Sequence, residues 1–305
     1  MKRVLVTGSN GFIGRHCLPL LIEKGFEVHG VILDMEMRLD MPKVQWWVAD
    51  LLSPEQVRSL FEQVKPSHLL HFAWHTAPGA YWTSSENLRW LQASIEILRA
   101  FKLHGGKRIL AAGTCAEYDW RFGYCSEQVT PVAPSTLYGI CKNSLNEVLM
   151  SFADQEGLSA AWGRVFFLYG PHEHPTRLVP SVINALLDGQ PALCTHGNQI
   201  RDFLHVEDVA SAFAALLDSE VEGAVNIASG EPVALQNIIY RIAEKLERPD
   251  LVQLGAIPVS ESDVPLLIGD ASRLKQEVGW APHYNLYAGL AMTIDWWKRQ
   301  KQSCQ

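Results

Sequence analysis

Tyr138 and Lys142 stand four residues apart in Tyr138-Gly139-Ile140-Cys141-Lys142. On a helix, positions i and i+4 share a face, so the ammonium is brought beside the phenol. A neighbouring positive charge favours phenolate and draws a tyrosine pKa from about 10 toward the working pH. A phenol tuned in this way gives or takes a proton near neutrality. Thr114 closes an apolar segment and is placed to hydrogen-bond the same substrate oxygen. By itself the spacing is a weak signal, because any helix can carry a packed tyrosine and a surface lysine. It gains force from a second motif at the start of the chain.

That motif is a strand, a glycine turn and a helix. Val4-Leu5-Val6-Thr7 reads as a short apolar strand; Gly8-Ser9-Asn10-Gly11-Phe12-Ile13-Gly14 follows, then an amphipathic segment over residues 17–24. Gly8 permits the tight turn, Gly11 lets the backbone approach a pyrophosphate, and Gly14 lets the helix pack closely on the strand. The helix N-terminus offers free N–H groups and a positive dipole end to phosphates. Glycine triplets alone mark only turns, but here the strand before and the helix after complete a dinucleotide-binding signature.

Further elements must carry these groups. Strands are expected over residues 27–33, 44–48, 67–72, 107–112 and 159–166, with helices over 53–65, 84–104 and 135–156, the last capped by Ser135. Strands alternating with helices of this length mean a parallel sheet covered on both faces. From about Phe167, Pro and Gly become frequent; helices are expected over 179–187, 206–217, 235–246 and 287–297. The reading is an α/β chain with a dinucleotide-binding domain at 1–166 and a smaller, partly interleaved substrate-binding region at 167–305. Ligands of such sheets bind beyond the carboxyl ends of the strands, so the loops after Val6, Phe72, Ala112 and Phe166 should form the site.

Composition narrows the classes. The 305 residues are 48% hydrophobic with a net charge of −7, which suits a soluble globular protein and argues against nucleic acid as partner. No apolar run is long enough to span a bilayer, so a cytoplasmic location without membrane contact is expected. Six scattered cysteines form no C-x-x-C pair and read as free thiols. The eleven histidines show no metal spacing, and no metal site is expected.

Taken together the motifs resemble the NAD-dependent epimerase/dehydratase family of extended short-chain dehydrogenases/reductases, which modify nucleotide-linked sugars. The resemblance runs through Thr7-Gly8-x-x-Gly11-Phe12-Ile13-Gly14, Asp50-Leu51, His71, Asn87, Thr114, Tyr138-x-x-x-Lys142 and Tyr169-Gly170-Pro171. It continues in Arg201-Asp202-Phe203-Leu204-His205-Val206-Glu207-Asp208-Val209, Asn226-Ile227-Ala228-Ser229-Gly230 and Gly279-Trp280-x-Pro282. It implies a Rossmann-type doubly wound sheet, with Tyr138 as general acid/base, Lys142 holding the nicotinamide ribose and Thr114 orienting the substrate oxygen. Gly8, Asn10, Gly11, Phe12, Ile13 and Gly14 would line the cofactor diphosphate, Asp50 and Leu51 the adenine, and Phe72, Ala73 and Trp74 the remainder. Toward a nucleotide-diphosphate sugar it implies His75, Cys115, Ala116, Phe167 and Arg201, whose guanidinium fork suits a diphosphate. Asp208 would anchor the loop before its own helix.

The chain departs from the family pattern at four places. Dehydratases carry an Asp-Glu pair after the catalytic threonine; here Cys115 and Ala116 stand there, and Glu117 comes one position late. Phe167 replaces a common Asn, and a basic residue common near 260–263 is missing. Ile32 stands where NAD-preferring members carry an acid, with Asp34 two residues farther on and Arg38 available to a 2′-phosphate. The cofactor reading therefore leans to NADP, with NAD nearly level. The leading activity is reduction of a 4-keto nucleotide sugar, with a 4-epimerase as rival and a non-enzymatic dinucleotide-binding scaffold as a third class. Helices 84–104 and 135–153 match those that pair across a two-fold axis in relatives, so a homodimer is expected.

Overall fold

The structure is a computed structural model that describes residues 2–260 and 263–303. Its first half runs β1 (Arg3–Thr7), α1 (Gly14–Glu23), β2 (Glu27–Ile32), β3 (Val44–Val48), α2 (Pro54–Val64), β4 (His68–His71), α3 (Glu86–Leu103), β5 (Arg108–Thr114), β6 (Tyr124–Cys125), α4 (Leu137–Glu156) and β7 (Ser159–Val165). Then come β8 (Phe167–Tyr169), α5 (Leu178–Leu187), β9 (Ala192–Leu193), β10 (Ile200–His205), α6 (Val206–Asp218) and β11 (Gly223–Ile227). The chain ends with β12 (Pro232–Ala234), α7 (Leu235–Lys245), β13 (Val252–Gln253), β14 (Leu266–Gly269), α8 (Ser272–Gln276) and α9 (Leu286–Ser303).

Seven strands form one parallel sheet in the order β11-β7-β5-β4-β1-β2-β3, the doubly wound arrangement expected. Strand side chains alternate between faces. Leu5, Leu69 and Ile109 join α2, α3 and α4 in one core, while Val4, Val6, Leu70 and Leu110 join α1 and α6 in the other. The winding reverses between β1 and β4, and the crevice at such a switch point is where these sheets bind ligands.

Three of the boundaries that differ from the sequence reading lie at Gly14, Leu137 and Thr114, and the last helix, α9, runs to Ser303, past its expected end at 297. Helix α1 opens at Gly14, before the apolar pattern that begins at Cys17, because a glycine carries no pattern of its own. Helix α4 is capped by Thr136, whose hydroxyl accepts from Gly139 N at 3.1 Å; Ser135 is not the cap. Strand β5 continues through Gly113 and Thr114, which pair with Arg164 and Val165 of β7.

The second half contributes β11 to the large sheet and α6 to its cover, and builds a mixed sheet, β12-β10-β14-β6 with β8 beside β10, whose edge strand β6 comes from the first half. Helices α5, α7 and α9 close a separate core around Ile183, Leu186, Ile238, Ile242 and Ile294. Buried Asp202 of β10 ties the loop after β11 to the end of β14: its carboxylate accepts from Ser229 N and Oγ, Gly230 N and Gly269 N. Asp208 anchors a different loop from the one expected, accepting from His283 N (2.7 Å) and Tyr284 N (3.0 Å) ahead of α9. Cys17, Cys115, Cys125, Cys141 and Cys194 are buried free thiols; Cys304 lies outside the described residues. Among the described residues no helix is long and apolar enough to cross a membrane.

Several buried histidines set an acid limit on this fold. Burial holds His71 down to about 3 and His68 and His205 to about 4, against an ordinary value near 6.5. The unfolded chain therefore binds protons between pH 6.5 and about 3 that the folded chain refuses. The sign is that stability is complete above pH 6.5 and falls as pH drops through 4, by a few kcal/mol or roughly that for His71 alone. The melting temperature followed from pH 7 to pH 4 should decline steadily; a flat profile would refute this account.

Candidate active site

The glycine turn packs without room to spare. Gly8 sits at φ +66°, and a Cβ there would lie 2.9 Å from Ala73 N. A Cβ on Gly14 would overlap Gly8 O, so the start of α1 touches the end of β1 directly. Gly11 N donates within the turn to Gly8 O at 3.0 Å, and Phe12 and Ile13 stand at the opening of α1, the end of a helix that suits an anion. Asn10 reaches across to Met37 O at 3.4 Å, linking this turn to the segment after β2.

At the switch point a chain of hydrogen bonds joins β1, β4 and α3. Ser94 Oγ donates to Trp90 O (2.7 Å), so it accepts from His71 Nε2 at 2.9 Å. His71 Nδ1 then accepts from Thr7 Oγ1 at 2.7 Å, and Thr7 Oγ1 accepts from Ala73 N at 3.2 Å. The imidazole is thus neutral and fully paired, and it fixes the turn at Phe72-Ala73. Phe72 packs edge-on against Phe213 of α6. The loop beyond is held by Asn87 at the start of α3. Its amide donates to Tyr81 O (2.7 Å) and Ser84 O (2.8 Å), and its carbonyl accepts from the Trp74 indole at 2.8 Å.

Thr114, Tyr138 and Lys142 converge where β5 meets α4. Tyr138 is nearly buried, lies beside the Thr114 side chain, and has its ring edge-on to Tyr81 (4.9 Å) and Trp82 (5.7 Å). Lys142 Nζ donates to Ala112 O at 2.9 Å and lies 3.9 Å from the centre of the Trp74 ring. The expectation that Lys142 lowers the Tyr138 pKa is corrected here. Burial pushes the phenol well above its ordinary value, with the nearby Tyr81 adding to it and the Thr114 side chain opposing. Burial also draws the Lys142 ammonium down to about 7, against an opposing pull from Glu117. The pair therefore offers a protonated phenol beside an amine that titrates near neutrality.

The residues expected to meet the substrate lie around and beyond Thr114. Arg201 is buried, its plane 5.4 Å from the Phe167 ring centre. Its guanidinium already pairs with the Asp263 carboxylate and donates to Val264 O (2.7 Å) and Ile200 O (2.8 Å). Of the stretch 260–263, residues 261 and 262 lie outside the described residues. Cys115 and Ala116 are buried, and burial pushes the Cys115 thiol far up, so neither can act as acid or base. His75 is half-buried on the loop after β4. Of the residues expected near the adenosine, Leu51 is buried, Asp34 accepts from Glu36 N (2.9 Å), Asp50 accepts from Leu52 N (2.9 Å), and Arg38 is exposed.

The profile of the NAD dependent epimerase/dehydratase family matches residues 4–228. The chain belongs to that family. It is 24% identical to a UDP-glucose 4-epimerase of Rhizobium meliloti (strain 1021), over 99% of this chain and 98% of that one. A dTDP-6-deoxy-L-talose 4-dehydrogenase (NAD(+)) of Aggregatibacter actinomycetemcomitans is 25% identical over 77% of this chain and 87% of its own. The UDP-glucose 4-epimerase of Thermus thermophilus, solved in complex with NAD, superposes with a TM-score of 0.83. It is 25% identical and covers 97% of this chain and 99% of that one.

For this member of the epimerase/dehydratase family, sequence reasoning overlooked three groups. Ser94 completes the His71 chain, but a serine inside a helix carries no motif. Asp263 neutralises Arg201 across 62 positions, a separation no local pattern spans. Arg164 and Trp162 of β7 enclose Glu117, which the sequence offered only as a displaced dehydratase acid. Both oxygens of Glu117 are engaged, by Thr114 N, Trp162 Nε1 and Arg164 Nε, so it cannot protonate a leaving hydroxyl.

Proposed function

We propose that this enzyme is a nucleotide-sugar oxidoreductase that reduces a 4-keto sugar, with residues 1–166 binding the cofactor and 167–305 most of the substrate. The observation that carries the reading is Tyr138: a phenol kept protonated by burial, set beside Thr114, and walled by Tyr81 and Trp82. Tyr138 gives its proton to the forming alkoxide at C4, while Thr114 and Lys142 stabilise the charge that develops. A nicotinamide dinucleotide, when bound, supplies the hydride. The glycine turn supports that group, since any Cβ at Gly8 or Gly14 would fill the cradle. NAD is the form favoured by the relatives, one of which bears NAD in its name and another of which was solved with it. The two aromatic rings set edge-on to Tyr138 also support a single sugar orientation, which suits one-way reduction.

A second reading, nucleotide-sugar 4-epimerase, is favoured by the names of two of the relatives. Incubation with NADH or NADPH and a panel of 4-keto and 4-hydroxy nucleotide sugars separates the two. Reduction consumes reduced nicotinamide in proportion to product. Interconversion of two 4-hydroxy epimers with no net nicotinamide change would replace the first reading by the second.

A homodimer through α3 and α4 is proposed as well. Leu98, Leu145 and Leu149 face the core, but Leu88, Ile140 and Val148 remain exposed on the same two helices. Apolar side chains left over after the core is filled suit a self-complementary interface. Light scattering at micromolar concentration should give twice the 34.1 kDa chain mass, and a monomer would defeat the proposal.

A further inference from the structure

Glu117 is fully buried one turn beyond Thr114, in a 3₁₀ turn over Cys115–Glu117. Its Oε1 accepts from Thr114 N at 2.8 Å and from Trp162 Nε1 at 3.0 Å; its Oε2 accepts from Arg164 Nε at 2.7 Å and again from Trp162 Nε1 at 3.0 Å. The surrounding strands make room for it. A Cβ on Gly113 would run into both Trp162 Nε1 and Glu117 Oε1, so the neighbouring glycine is what admits the carboxylate. Arg164, also buried, lies with its guanidinium 4.5 Å from the Tyr118 ring centre, and Tyr118 OH donates to Asn226 Oδ1 at 2.8 Å.

A buried ion pair of this kind contributes little to stability by itself, because desolvating two charges offsets most of their mutual attraction. Its position gives it another use. One end of the carboxylate holds the peptide of Thr114, and the turn that carries it packs on α4: a Cβ at Gly139 would lie 2.5 Å from Ala116 O, and Lys142 Nζ donates to Ala112 O near the end of β5. We propose that Glu117, with Arg164 as its counter-ion, is a positioning residue: it fixes Thr114 against the substrate oxygen and places a buried negative charge behind the cluster of Thr114, Tyr138 and Lys142. This rests on the reading of Thr114, Tyr138 and Lys142 as the reacting constellation. The direction of the electrostatics agrees, since Glu117 raises Lys142 against the effect of burial and also favours the protonated phenol of Tyr138.

The test uses Glu117→Gln, which keeps an acceptor for Thr114 N while removing the charge. The double variant Glu117→Gln/Arg164→Met serves if an unpaired arginine prevents folding. Lys142 is followed by the 13Cε resonance of labelled lysine across pH, assigned with Lys142→Met. The parent should titrate near 7. The folded variants should titrate lower, by about one pH unit for the single change and less for the double. With a substrate in hand, kcat should fall about tenfold or more while cofactor affinity stays within about twofold, the pattern of a group that acts in the transition state. An unmoved Lys142 midpoint in a folded variant overturns the inference. A midpoint that moves, in a parent that turns over no nucleotide sugar, supports the Glu117 assignment and counts against the oxidoreductase reading instead.

Discussion

Tyr138→Phe should lower kcat by about a thousandfold, within the range set by removing a general acid. The change deletes one oxygen and keeps the ring, so its edge-on contacts with Tyr81 and Trp82 survive. Burial is also kept, and the Thr114 hydroxyl beside the phenol still accepts from Ala116 N. Cofactor affinity should therefore stay within about twofold of the parent, because the loss is confined to the transition state. Thr114→Val removes the neighbouring hydroxyl and should cost less, since the phenol would still be present. Steady-state turnover beside a cofactor titration measures both numbers. A Tyr138→Phe enzyme retaining a tenth of its activity or more would mean that the proton comes from elsewhere.

Gly14→Ala should weaken cofactor binding at least about a hundredfold, equivalent to roughly 3 kcal/mol. The added methyl meets Gly8 O, with Gly8 C and Ser9 Cα also at 3.0 Å. All three are backbone atoms of the turn, so none can swing aside as a side chain would. Relief requires α1 to move off β1, which displaces the N–H groups at Phe12 and Ile13 that would meet the diphosphate. Gly25→Ala provides the comparison. Gly25 lies at φ +81° with nothing within 4 Å of where a methyl would stand, so alanine there strains the backbone without touching the turn. It should lower stability by about 1 kcal/mol and leave cofactor affinity alone. Titration by intrinsic fluorescence, with melting curves for both variants, checks the contrast. Equal cofactor affinity in Gly14→Ala and the parent would show that the turn is not the diphosphate cradle.

Local chemistry determined much of this protein from the residues alone. The β1 strand, the glycine turn and α1 obey short-range steric rules, so they could be read as a unit. So could the alternation of strands and helices through β7, because side-chain period and turn residues act within a few positions. The alignment of Tyr138 with Lys142 followed from helix geometry in the same way. What only the tertiary structure decided is the environment of those groups. Lys142 turns to Ala112 O and the face of Trp74, residues far away in sequence, and burial rather than Lys142 governs the Tyr138 phenol. Arg201 and Asp263, or Glu117 with Trp162 and Arg164, meet only because β5 pairs with β7 and β10 lies beside β14. Charge states depend on solvent exclusion and on charges brought close by folding, both properties of the packed chain. Residue type and spacing can therefore mark the reacting groups, while their protonation and their partners await the three-dimensional arrangement.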